Sequence, residues 1–223
     1  MTNFNIAIDG PAGAGKSTIA KRVAKELGFI YVDTGAMYRA MALYFLRNKI
    51  DAEDSAKIEE VCKNVDVTID YKNGEQIVVL NGEDVNSQIR TEEVGNMASA
   101  SSVNRAVRVK LVELQQSLSA KANVVMDGRD IGTCVLPNAN LKIYLDASSK
   151  ERARRRWVEL VQKGIEVDII AIENDIIERD DRDMTREVSP LKQAEDAIYL
   201  DSADMKIEEV VTTIMDLYKT KVK

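Results

Sequence analysis

The chain has 223 residues, 45% of them hydrophobic and 30% charged, with a net charge of −6 and no histidine. That length supports one sizeable core, or a core with small inserted lobes. The acidic balance argues against a general nucleic-acid binder. The lack of histidine removes Ser-His-Asp and Cys-His nucleophilic sites, histidine-ligated zinc and phosphohistidine chemistry. No 18-residue apolar run occurs, so no membrane span is expected, and the first residues lack the charged and apolar regions of a signal peptide. Cys62 and Cys134 form no CxxC pair and no metal spacing, so a reducing cytoplasm is the expected setting.

In chain order, Asn5–Ile8 reads as a buried strand ending in Asp9-Gly10, followed by a helix with Ile19, Val23, Ala24 and Leu27 on one face and Gly28 as its stop. Phe29–Val32 is a second strand, and Asp33 or Thr34 caps the helix carrying Met37, Tyr38, Met41 and Phe45. From Asp66 to Val85 the pattern changes. Val67, Ile69 and Tyr71 alternate with polar residues, Lys72-Asn73-Gly74 makes a turn, and Ile77–Leu80 follows, which predicts an antiparallel hairpin. Residues 92–120 read as helix, broken near Ser101-Ser102. Val124–Asp127 and Leu141–Asp146 are strands. A very basic helix starts near Ser148-Ser149, another covers Ile169 to about Arg186, and Ala197–Leu200 is a fifth strand. The last helix aligns Ile207, Val210, Val211, Ile214 and Leu217. Apolar strands alternating with helices predict an α/β fold, a five-stranded parallel sheet covered on both faces, with the hairpin as an inserted lobe.

Gly10-Pro11-Ala12-Gly13-Ala14-Gly15-Lys16-Ser17 matches G-x-x-x-x-G-K-[ST] between a predicted strand and a predicted helix, the context that gives a phosphate-binding loop its meaning. Glycines let backbone N–H groups wrap phosphate oxygens, and the helix N-terminus adds partial positive charge. Lys16 suits the β- and γ-phosphates, and Ser17 suits Mg²⁺. Asp127, at a strand end, either orients Mg²⁺ through water or caps the next turn. The loop implies a bound nucleotide but not a reaction. Asn48-Lys49-Ile50-Asp51 imitates a guanine-reading N-K-x-D, but it lies 32 residues after Lys16 at a helix end, and no D-x-x-G occurs. A small-molecule kinase is the class that best uses the arginines. When the acceptor is itself a phosphate, its oxygen is already ionised, so catalysis reduces to positioning and charge stabilisation.

Asp9–Thr18, Asp33-Thr34-Gly35-Ala36-Met37-Tyr38-Arg39, Asp127-Gly128-Arg129-Asp130-Ile131-Gly132 and Arg179-Asp180-Asp181-Arg182-Asp183, in that order, closely resemble the bacterial cytidylate (CMP) kinases of the nucleoside monophosphate kinase superfamily. The resemblance spans essentially the whole chain, hairpin insert included. It implies Mg²⁺-dependent phosphoryl transfer from ATP, held by Gly10–Thr18, to CMP and dCMP. It places Arg39, Arg129 and Arg186 on the acceptor phosphate, and Ser99, Arg108 and Asp130 around the cytosine ring. Arg179 and Asp183 go to the ribose beside Thr34, where many members carry serine. An aspartate at position 130 can accept from the exocyclic amino group that uracil lacks. The resemblance makes Lys150–Arg156 part of a lid. Arg152 and Arg156, four apart on one face, are then expected to join Lys16, Arg129 and Arg186 at the transferring phosphoryl group. A UMP or shikimate kinase and a non-catalytic nucleotide sensor are the other readings. The expected organisation is one domain, with core 1–33, 103–147 and 183–223, an acceptor lobe at about 34–102 and a lid at about 148–168. It is expected to act as a monomer without nucleic-acid or membrane partners. Near the C-terminal end, Arg179, Arg182, Asp183 and Arg186 form one helical stripe, leaving Asp180, Asp181 and Glu187 to the solvated side.

Overall fold

The computed structural model describes residues 3–72 and 74–222. Five strands, β1 (Asn5–Asp9), β2 (Ile30–Asp33), β6 (Val124–Gly128), β7 (Leu141–Asp146) and β8 (Ile198–Asp201), form one sheet in the order β2-β6-β1-β7-β8, with every neighbouring pair parallel. The three inner strands are almost wholly buried, and mostly apolar, because helices cover both faces. On one face, α1 (Lys16–Leu27) and α8 (Ile207–Lys221) bury Ile19, Val23, Val210 and Ile214 against Ile6, Ile8, Leu141 and Ile143. On the other, α2 (Thr34–Arg47) and α5 (Arg105–Lys121) bury Met37, Met41, Phe45, Val107 and Leu111 against Val32, Val124 and Met126.

The small lobe has three antiparallel strands, β3 (Val67–Lys72), β4 (Glu75–Leu80) and β5 (Glu83–Asp84). The expected hairpin is therefore extended by a two-residue edge strand too short to show a period-2 pattern. Asn73, the middle of the expected turn, lies outside the described residues. Two further elements escaped the sequence reading, namely α3 (Ser55–Cys62), an eight-residue helix capped by Asp54, and a single π-helical turn at Ile131–Val135. The expected break near Ser101-Ser102 separates α4 (Glu92–Ser101) from α5, whose N-terminus is capped by the Asn104 side chain. The basic segment is α6 (Ser149–Gln162), and α7 (Ile169–Thr185) stops one residue before Arg186. No helix among the described residues is long and apolar enough to cross a membrane.

Register does the main work for the site. Asp9 pairs with Gly128, and Asp33 pairs with Asp127, so three aspartates line up at the carboxyl ends of adjacent strands. That edge is where open parallel sheets place their ligands.

Candidate active site

The loop from Gly10 to Gly15 leaves β1 and enters α1 through backbone conformations that favour glycine. Gly10 has φ 148°, and a Cβ there would lie 1.9 Å from the Leu145 carbonyl oxygen, so only glycine lets the loop leave the sheet so close to β7. Gly15, at φ 85°, is the N-cap of α1. The Lys16 ammonium is buried and donates to the Pro11 carbonyl at 2.6 Å. Burial first, and Arg129 second, depress its pKa well below the usual lysine value. Ser17 Oγ donates to Asp127 Oδ2 at 2.8 Å, and the Tyr31 hydroxyl donates to Asp127 Oδ1 at 2.8 Å. Burial and the nearby Asp33 push the Asp127 carboxyl up to about 6. Among the described residues no cluster of three metal-ligating side chains exists. The Ser17 hydroxyl and Asp127 carboxylate thus fit a hard cation that takes most of its oxygens from bound phosphates and water, as Mg²⁺ does.

Beside the loop is a cavity of about 420 Å³. Lys16, Arg39, Arg108, Arg129, Arg179 and Arg186 line it, facing Asp33, Asp127, Asp130, Asp183 and Glu159. Six cations against five acids leave it positive in a chain of net charge −6. The charges form a chain. Arg108 donates to Asp130, whose other oxygen has Arg186 at 3.7 Å; Arg186 reaches Asp183 at 3.4 Å, and Asp183 accepts from Arg129 at 2.8 Å. Burial alone would raise the Asp183 carboxyl, but Arg129, Arg186 and Arg179 together hold it below its ordinary value. Arg179 is pushed down to about 10 by burial and by Arg129. Thr34 Oγ1 donates to the Asp127 carbonyl at 2.7 Å, and Ser99 Oγ accepts from Arg182 at 3.0 Å; both line the cavity. Four buried groups of the lining residues have no hydrogen-bond partner among the described residues, namely Tyr38 OH, Arg39 Nε, Arg108 Nε and one terminal nitrogen of Arg186.

The Cytidylate kinase family model matches residues 6–220. The chain belongs to the cytidylate kinase family. A cytidylate kinase of Caldicellulosiruptor bescii is 52% identical over 223 residues, covering 100% of this chain and 99% of that one. A cytidylate kinase of Bacillus cereus is 50% identical over 214 residues, covering 96% and 95%. Solved structures share the fold at much lower identity. A Thermus thermophilus protein has a TM-score of 0.52 at 16% identity, covering 100% of both chains, and a Eubacterium ventriosum protein has 0.53 at 13%, covering 98% of this chain and 99% of that one.

Within this cytidylate kinase fold, the cavity gathers all the residues expected around an acceptor: Thr34, Arg39, Ser99, Arg108, Arg129, Asp130, Arg179, Asp183 and Arg186. The two expected lid arginines part company. Arg152 is buried and fully engaged, donating to the Ala147 carbonyl at 2.8 Å and the Ala12 carbonyl at 2.7 Å and pairing with Asp180 at 2.6 Å. Arg156 is half-exposed, pairs with Glu159 at 2.8 Å and lies outside the cavity lining. They share a helix row, but the end of α6 nearer the loop is covered and the next turn is not.

The structure corrects one expectation. Asp180, expected on the solvated side, is buried, accepts from the Ala12 backbone N–H at 3.2 Å and holds Arg152. Charge alternation cannot separate it from exposed Asp181, but its i,i+3 spacing to Asp183 could have. Asp9 also has a role that sequence reasoning missed. Its carboxylate accepts from the Ile131 and Gly132 backbone N–H groups at 2.8 and 2.7 Å and so holds the π-helical turn that follows Asp130. Burial lifts its pKa to about 6 despite those bonds.

Proposed function

We propose that this chain transfers the γ-phosphoryl group of ATP to CMP, giving ADP and CDP, and accepts dCMP as well. The observation that carries the reading is the set of four unpartnered buried groups among the residues that line the cavity. Buried donors are normally satisfied, and a phosphate and a pyrimidine carry the kinds of group that would partner them once the cavity wall adjusts around a ligand. Family membership supplies the same substrate independently.

An oxygen of the CMP phosphate bonds to the γ-phosphorus as the bond from that phosphorus to the β,γ-bridging oxygen breaks, and ADP leaves with the electron pair. The attacking oxygen is already anionic, so no side chain need take a proton, which suits a chain without histidine. Arg39, Arg129 and Arg186 neutralise the acceptor phosphate, and Lys16 leaves the Pro11 carbonyl for the β- and γ-phosphates. Mg²⁺, when bound, would be held by Ser17 and through water by Asp127 and would supply neutralisation of phosphate charge. Asp130 Oδ2 is taken by Arg108, while Oδ1 keeps capacity to accept from the cytosine amino group. Arg179 and Asp183 face the ribose. Residues 34–102 act as the acceptor lobe and 148–168 as a lid that excludes water during transfer. Two free thiols, Cys62 and Cys134, suit work in a reducing cytoplasm. We read the working unit as a monomer.

A coupled assay of ADP release over CMP, dCMP, UMP, AMP and shikimate tests this. CMP and dCMP should give the highest kcat/KM. Turnover with CMP no better than with the others would sink the assignment, and ATP binding without transfer to any of them would identify a sensor.

The ligand-free protein should also show the cost of Asp127. A carboxyl raised from 3.8 to about 6 on folding contributes stability that is fully present below pH 3.8 and lost as pH rises through about 6. That rise corresponds to a loss on the order of 3 kcal/mol. Asp127→Asn should therefore gain thermal stability relative to the parent as pH rises from 4 to 7, with little difference at pH 4. A constant offset in Tm across that range would contradict it.

A further inference from the structure

β2 is an edge strand of the main sheet, so one side of its backbone has no neighbouring strand among the described residues. In that open position stands Gln76 of β4. Its amide oxygen accepts from the Asp33 backbone N–H at 2.8 Å, and its amide nitrogen donates to the Asp33 carbonyl at 3.1 Å. One side chain thus imitates a residue of a neighbouring strand. Two residues back on the same outward edge, the Tyr31 carbonyl accepts from the Tyr71 hydroxyl of β3 at 3.2 Å. Tyr71 and Gln76 are paired across the β3–β4 ladder, so both contacts come from one point of the insert. Asn86 steadies β4 in turn, accepting from the Val78 N–H at 3.0 Å and donating to the Gln76 carbonyl at 2.9 Å. Beside these bonds is a second cavity of about 840 Å³, lined by residues of the insert, α1 and β2.

What the bonds grip matters. The Asp33 side chain caps α2 by accepting from the Ala36 N–H at 2.9 Å and pairs with Arg39 at 3.3 Å and Arg90 at 3.1 Å. Thr34 follows it directly and lines the active-site cavity. Asp33 lines both cavities. Its backbone orientation decides where the α2 N-terminus, Thr34 and the Arg39 guanidinium point.

We propose that Gln76 is a positioning residue for the acceptor site: the β insert clasps the open edge of β2 through this amide and so sets Thr34 and Arg39 for the acceptor nucleotide. The inference rests on the phosphoryl-transfer reading above. It gives the insert a role that its shape alone does not supply. Gln76 touches no substrate in this scheme and acts through Asp33.

The test uses the full chain with Gln76→Ala and Gln76→Met. Methionine keeps the length and packing of the side chain and loses both hydrogen bonds. Both variants should raise KM for CMP about tenfold, with KM for ATP and kcat within about twofold, and both should accelerate amide hydrogen exchange at Asp33 and Thr34. Equal losses for ATP and CMP, or an unchanged KM for CMP with faster exchange, would overturn the proposal. So would a defect in Gln76→Ala that Gln76→Met repairs, since packing would then be the cause. If the parent enzyme turns over another monophosphate instead, the substrate assignment fails alone, and the same comparison is read with that acceptor.

Discussion

Lys16→Met is expected to cut kcat by about 1,000-fold while making the ligand-free protein more stable. The loss follows from the chemistry: the ammonium is the one lysine in the cavity wall, and preorganised donors aimed at developing phosphoryl charge contribute about 100- to 1,000-fold each. The gain follows from the electrostatics. Burial and the Arg129 guanidinium both penalise the charged amine, and the nearby carboxylates and the Pro11 carbonyl offset them in part. Methionine fills nearly the same volume without a charge to desolvate, so the ligand-free protein should gain roughly 1 kcal/mol, or a few degrees in Tm. The sign has a pH signature. A lysine whose folded pKa is depressed sheds its proton in the native state first, so the advantage of methionine should shrink as pH rises through that folded value. Thermal melts across pH with single-turnover transfer check both halves. A lower Tm at neutral pH together with a large rise in KM for CMP would place Lys16 on the acceptor instead.

Asp130→Ala is expected to damage recognition and folding together. Arg108 and Arg186 are both buried, and the carboxylate between them is the Arg108 counter-ion and the nearest anion to the remaining Arg186 nitrogen. Removing one partner of such a buried cluster costs about 3–5 kcal/mol. Asp130→Asn is the companion that keeps shape and one acceptor oxygen, so its kinetics can be read from folded protein. With either variant, kcat/KM for CMP should fall about 1,000-fold, the CMP-to-UMP preference should collapse, and KM for ATP should stay within about twofold. Equal losses for ATP and CMP would remove Asp130 from base reading.

The sheet and the phosphate loop were legible because they depend on local signals: apolar runs of strand length, a glycine-rich turn and Lys16-Ser17 at fixed spacing. The arginines of the cavity were legible through their motif context. What escaped were contacts between distant segments. Asp180 looked like Asp181 until the fold brought Ala12 and Arg152 against one of them. Gln76 gave no signal, since its partner is a backbone edge left open by strand order, which no sequence period encodes. Arg152 and Arg156 share a helix row, and only the packing of α6 shows which of them is covered. The π-helical turn was missed for the same reason, its hydrogen bonds being anchored by Asp9 from more than 120 residues away.

Helix α7 touches both halves of the site. Asp180 grips the phosphate loop through Ala12, and Asp183, three residues on, sits in the acceptor network with Arg129. The offset between the two grips is then a helical rise, about 1.5 Å for each residue. The helix serves as a ruler whose divisions cannot be subdivided. One residue inserted between Asp180 and Asp183 would lengthen the gap by about 1.5 Å and turn the later grip by about 100°, pointing Asp183 away from Arg129. In that stretch chain length itself is under constraint, whatever residues fill it.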